Sequence, residues 1–153
     1  MNRLIAPAPP WATSSAILLV RLVVGAAFVL HSLPKFQNPF GWMTAMGAEN
    51  APPGFIQALA PVCEMAGGIL LAIGLFTRVA CLMLVSVMIG ALALVHIPHG
   101  DPFVGKPGQP SAELAVVYLS FSLLVAAIGA GAYSLDAVLF AERRALRAAP
   151  GLA

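Results

Sequence analysis

Apolar residues fall into four runs along the chain, at about 14–33, 55–76, 79–97 and 112–131, separated by short polar or Pro/Gly-rich connections. Each run is close to the ~20 helical residues that cross a hydrocarbon core at 1.5 Å per residue. The pattern predicts an all-α protein: a four-transmembrane-helix bundle with a polar interior, followed by a cytoplasmic C-terminal amphipathic segment. Three regions follow: a proline-rich segment at 1–13, a four-helix membrane domain at 14–131 and a tail at 132–153. The "APAPP" stretch at 6–10 excludes a regular helix there, and Ser14 or Ser15 is a candidate cap for the first span. Arg21 interrupts the first apolar run and no small-residue cleavage site follows, so the segment reads as an uncleaved helix rather than a signal peptide.

The polar positions inside the runs share faces. At 100° per residue, Arg21, Gly25, Phe28 and Ser32 form one stripe, with His31 and Lys35 at its edge. Gln57, Glu64, Gly68 and Leu71 form a second on the second span, and Glu113, Ser120 and Leu124 a third on the fourth. Measured along the runs, Arg21 lies roughly 10 Å from one membrane surface and Glu64 roughly 13 Å from the other. Consecutive antiparallel helices would bring the two within reach, which predicts an Arg21–Glu64 ion pair, read either as a register-fixing clamp or as a functional pair. Pro61 in the second span is tolerable if a neighbour covers the carbonyl it frees. In the first long connection, Phe40, Trp42, Met43 and Met46 suit a short helix lying in the interface. Gly67 and Gly68 suit a close approach of helices.

Composition agrees with a membrane protein: 60% of the 153 residues are hydrophobic and 9% charged, far below the ~25% charged residues of soluble domains. The net charge of +2 and the absence of basic–aromatic clusters argue against nucleic acid as a partner. Arg3, Arg78, Arg143, Arg144 and Arg147 fall on the side of the termini, and Lys35 and Lys106 on the other. The positive-inside rule then places both termini in the cytoplasm of a bacterial-type plasma membrane. His31, Lys35, His96, His99, Asp101 and Glu113 come from three spans and gather at the outer end, which predicts a polar mouth there. Phe28, His31, Glu64, His96 and Glu113 are its candidate ligand-binding residues. Two histidines and a carboxylate without tight spacing do not make a metal site, and none is expected. Cys63 and Cys81 lie at depths too different for a disulfide, and no C-x-x-C occurs.

The stretches "LLVRLVVGAAFVLHSLPK" (18–35), "CEMAGGILLAIGLFTR" (63–78), "AELAVVYL" (112–119) and "GAGAYSLD" (129–136) together resemble the DoxX family of small four-helix membrane proteins. The resemblance covers nearly the whole chain after its proline-rich start; Ser32 stands where the family usually has glycine. It carries family residues onto Arg21, His31, Lys35, Glu64, Gly68, Arg78, His96, Glu113 and Asp136. A related branch, DoxD, is a subunit of a thiosulfate:quinone oxidoreductase, and other members are linked to oxidative-stress complexes and redox-enzyme maturation. The resemblance thus implies a redox-associated subunit, by analogy. No residues here suit haem, a flavin or an iron–sulfur cluster, so no tightly bound cofactor is expected. Quinone is the candidate ligand, with His31 or His96, and Glu64 or Glu113, as candidate proton carriers. Electrons would come from a redox partner protein, so the chain reads as an accessory subunit rather than a complete enzyme; a homo-oligomer is compatible with the sequence. The alternative is a non-catalytic scaffold or assembly factor.

Overall fold

The computed structural model describes residues 9–47 and 51–140, and among these the regular structure is helical, without a strand. Helix α1 spans Pro10–Ser32, followed by a 3₁₀ turn at Pro34–Gln37; α2 is a single turn, Trp42–Ala45; α3 spans Gly54–Ile73. Helix α4 runs Thr77–His99, with a π-helical turn at Leu92–His96; α5 spans Glu113–Ile128 and α6 is the short Leu135–Leu139. Three helices, α1, α3 and α4, are long and apolar enough to cross a membrane. Helix α5 is apolar but shorter, at 16 residues. The basic tail expected to form an amphipathic segment lies mostly beyond residue 140, outside the described residues.

Helix α1 starts earlier than the serines suggest. Pro9 is extended (φ −62°, ψ 147°) and Pro10 occupies the first turn, where its missing N–H costs nothing and its φ is already helical. Ser14 and Ser15 therefore do not cap. Ser14 is buried and accepts from the Ala132 amide at 3.3 Å, while Ser15 donates to Trp11 O.

The helices pack in sequence order, α1 on α3, α3 on α4 and α4 on α5. Glycine sets the first contact. A Cβ on Gly25 would lie 2.6 Å from Gly68 O, and one on Gly68 would lie 2.8 Å from Gly25 O. Neither position tolerates a side chain, so the α1 and α3 backbones touch there. Gly67 plays the same part toward α4, where Leu84 fills the space. The apolar core between the helices holds Phe28, Leu71, Cys81, Leu84 and Val125. Outward positions such as Leu19, Leu30, Ile69, Leu82 and Leu123 are exposed and apolar, as a helix facing lipid requires.

The buried stripes on α1 and α3 are those the periodicity predicts: Arg21, Gly25, Phe28 and Ser32, and Gln57, Glu64, Gly68 and Leu71. On α5 the prediction fails. Glu113, Ser120 and Leu124 are exposed, and the interior face carries Ala115, Ser122 and Val125. With apolar residues on every side of α5, its few polar groups do not mark the inward face. Glu113 instead sits solvated in the first turn, where a carboxylate favours the helix dipole.

Candidate functional site

Two polar centres stand at opposite ends of the bundle. The one at the Ile73 end of α3 is built on Arg21, which is 1% exposed. Its Nε donates to Leu71 O at 2.9 Å, Nη2 to Ala72 O at 3.0 Å, and Nη1 to Ala130 O at 2.5 Å and Tyr133 O at 3.0 Å. Leu71 and Ala72 lie in the last turn of α3, whose carbonyls carry the negative end of the dipole; Leu71 O also accepts from the Gly74 amide at 3.2 Å. Arg21 thus ties the end of α3 to the 129–134 connection. Gly74, left-handed at φ +70°, leaves no space for a Cβ between Arg21 and Ser134. Beside it, the Asp136 carboxylate accepts from Phe76 N at 2.7 Å and Thr77 N at 2.9 Å, capping the start of α4. That cap holds Phe76 at φ +46°, a conformation unusual for a bulky residue.

The predicted Arg21–Glu64 ion pair does not form. The Gly25–Gly68 contact fixes the antiparallel register so that Arg21 is level with Ala72, about 12 Å along the axis from Glu64. Glu64 instead takes Lys35, whose Nζ lies 2.5 Å from Oε1 and 2.7 Å from Oε2. Glu64 is 2% exposed and the Lys35 side chain 21%. Lys35 lies in the 3₁₀ turn that continues directly from the end of α1, and its side chain meets α3 there. Its ammonium also lies 4.7 Å from the centre of the Trp42 ring, a cation–π contact. Lys35, which the sequence places in the polar mouth, is the partner of the buried carboxylate.

Pro61 helps to hold this centre together. Lacking an N–H, it leaves Gln57 O without its helical donor, and Trp42 Nε1 supplies one at 2.8 Å. The Gln57 side chain completes the clamp: Oε1 accepts from Met43 N at 3.0 Å and Nε2 donates to Pro52 O at 2.8 Å. Helix α2 is thereby fastened over α3 as a roof, with Met43 buried and Phe40 and Met46 exposed.

A cavity of about 200 Å³ opens beside Lys35 and Glu64. Phe28, Met88, Leu114 and Ala115 give it apolar walls, and His31, His96, Ser111 and Tyr118 add polar groups. Of the five predicted ligand-binding residues, Phe28, His31, Glu64 and His96 line it; Glu113 does not, being turned outward. Tyr118 and Ser111 were missed. Tyr118 packs on Phe28, with ring centres 5.0 Å apart, and lies edge-on to His31 at 6.2 Å. The inward register of α5, Ala115–Tyr118–Ser122, was the signal that could have found it. His96 closes the π-helical turn, a rare feature that concentrates at functional sites. Its Nδ1 lies 2.8 Å from Asp101 Oδ2. With an Nδ1–H donating to that carboxylate, Nε2 is left for another partner. Among the described residues no group of three or more His, Cys, Asp or Glu side chains could hold a metal ion, and both cysteines are free.

The family pattern described as DoxX matches residues 16–97, more than half of the chain, including Arg21, Lys35, Glu64 and His96. This chain belongs to the DoxX family. A protein of Bacillus subtilis (strain 168) named "Putative oxidoreductase CatD" is 30% identical over 127 residues, covering 83% of this chain and 89% of that relative. An uncharacterized protein of Haemophilus influenzae is 35% identical over 126 residues, covering 81% of this chain and 90% of the relative. The inner membrane protein YphA of Escherichia coli (strain K12) is 28% identical over 124 residues, with 78% and 87% covered. No solved structure matches. This DoxX chain is thus a helical membrane protein.

Proposed function

We propose that this DoxX protein is a redox-associated accessory subunit that binds a quinone-like ligand in the cavity beside Lys35 and Glu64. The observation that carries the reading is the combination in one small cavity of an aromatic and aliphatic wall with an ammonium, a buried carboxylate and a carboxylate-held histidine. An apolar enclosure with a few placed polar groups is what a small planar ligand requires. The name of the Bacillus relative points the same way. Lys35 has three N–H donors and Glu64 accepts two, leaving one for a ligand carbonyl. His96, oriented by Asp101, delivers a proton through Nε2 and recovers it from water at the mouth. Converting the quinone to quinol takes two electrons, from a redox partner protein, and two protons.

In this reading α5 is the fourth span despite its length, and the termini with Arg78 face the cytoplasm of the bacterial inner membrane. The cavity then opens in the outer half of the bilayer.

One observation favours a second reading. Arg21 is wholly engaged with backbone carbonyls and stabilises the bundle without any ligand, as a scaffold or assembly factor would need. Purification in mild detergent followed by lipid extraction decides between them. Quinone at about one equivalent in the wild type, and lost from His96→Ala with folding intact, is the expected result. Quinone absent from a folded wild type that also fails to take up added quinone would leave the scaffold reading.

A further inference from the structure

A second cavity, of about 250 Å³, adjoins the first on the far side of the ion pair: Lys35, Glu64 and Ala91 line both. Its character differs. Beyond the shared pair its walls are almost entirely apolar, with Ile56, Leu59, Val87 and Leu94 prominent, under the Trp42–Met43 roof. Ile56, Leu59, Ser86 and Leu94 are also exposed on the outside of the bundle, so the space opens between α3 and α4 onto the surface that faces lipid chains. Gly90 lies in its wall, and a Cβ built there would meet nothing within 4 Å. Unlike Gly25 and Gly68, this glycine is not required by a neighbouring helix. What it leaves open is the cavity itself.

We propose that this second cavity holds the hydrocarbon chain of the amphipathic ligand whose head group binds in the first, so that the ligand straddles Lys35 and Glu64. The inference rests on the quinone-like reading above and adds to it the path of the chain. An isoprenoid or alkyl chain has no hydrogen-bonding needs and fits an apolar slot that opens to the bilayer. A planar head with carbonyls suits the first cavity, where His31, His96, Ser111 and Tyr118 add polar groups to the shared ion pair. The shared wall permits the arrangement because it includes Lys35, a flexible four-carbon stem whose ammonium can keep its hold on Glu64 and Trp42 while the stem shifts.

The test uses fluorescence. The chain has two tryptophans, so a Trp11→Phe background leaves Trp42, which lines the second cavity, as the sole indole. The full-length protein in nanodiscs is titrated with decyl-ubiquinone and, separately, with ring-only ubiquinone-0, each at defined membrane mole fraction. Gly90→Phe, which fills the cavity from a position with open space, should weaken decyl-ubiquinone at least tenfold and leave ubiquinone-0 within twofold. Ser86→Phe at the rim repeats the test should Gly90→Phe fold poorly. Equal effects on both ligands, or on neither, would overturn the chain site while a bound ring preserved the functional reading. Failure of both ligands to bind the unsubstituted protein would overturn both. A brominated phosphatidylcholine that quenches Trp42 equally with and without decyl-ubiquinone would mean bulk lipid fills the cavity, and would also overturn the proposal.

Discussion

Arg21 and Glu64 are both buried charges, yet they are stabilised by different means. Arg21 spreads its charge over four carbonyls, two of them at the negative end of a helix, a task suited to a planar fork with five donors. Arg21→Lys should therefore fail to rescue. Each lost charged hydrogen bond is worth about 1.5–3 kcal/mol, and a lysine ammonium cannot reach both segments. Thermal unfolding in detergent should place Arg21→Lys near Arg21→Ala; a wild-type melting temperature would contradict the clamp. Glu64 depends instead on one partner. Lys35→Ala strands a carboxylate that is 2% exposed, at a cost of about 3–5 kcal/mol for breaking a buried pair, and Lys35→Ala/Glu64→Gln should recover most of it. Additive losses in that double-mutant cycle would show that the two do not act as a pair. That both charges need burial among helices was legible from the sequence, because an unsatisfied charge on an isolated span is so costly. Their partners were not. Depth counted from the ends of apolar runs ignores the register set by the Gly25–Gly68 contact, and carbonyl acceptors leave no mark in a sequence.

At the scale of elements, the bundle couples distant irregularities. Pro61 breaks a hydrogen bond in α3, and the broken bond is what fastens α2. Restoring an amide at 61 should let Gln57 O bond within its own helix and make Trp42 redundant as a donor. Trp42→Phe should cost about 1 kcal/mol in the wild type and markedly less in Pro61→Ala, measured as unfolding free energies. An equal cost in both backgrounds would mean that Trp42 holds the roof by packing alone. The sequence pointed to a proline whose freed carbonyl needs cover and to an aromatic helix in the adjoining connection, without linking them. The α5 face was misread for a physical reason. A helix apolar all round gives a weak periodic signal, so Glu113 and Ser120 marked a stripe that faces outward. Asp136, known in advance only through resemblance, has a visible task in capping α4.

At the scale of the molecule, the two ends divide the work. At the end where α3 leads into α4, Arg21 and Asp136 tie helix ends to connections with short, fully engaged bonds. At the opposite end, charged and titratable groups border open space. The four apolar runs and the gathering of ionisable groups at one end were legible in the sequence, since both follow from length, periodicity and the cost of polar groups in hydrocarbon. The cavity's Ser111–Tyr118 wall was not, because it depends on which side of α5 turns inward. The central claim is that the Lys35–Glu64–His96 end binds a quinone-like ligand. Photolabelling with an azido-quinone in native membranes, followed by peptide mapping, tests it most directly. Label should appear on peptides carrying Phe28–Lys35 and Ser111–Tyr118, and unlabelled quinone should displace it. Label confined to peptides around Arg21 and Asp136, or spread over the lipid-facing surface without displacement, would contradict the account.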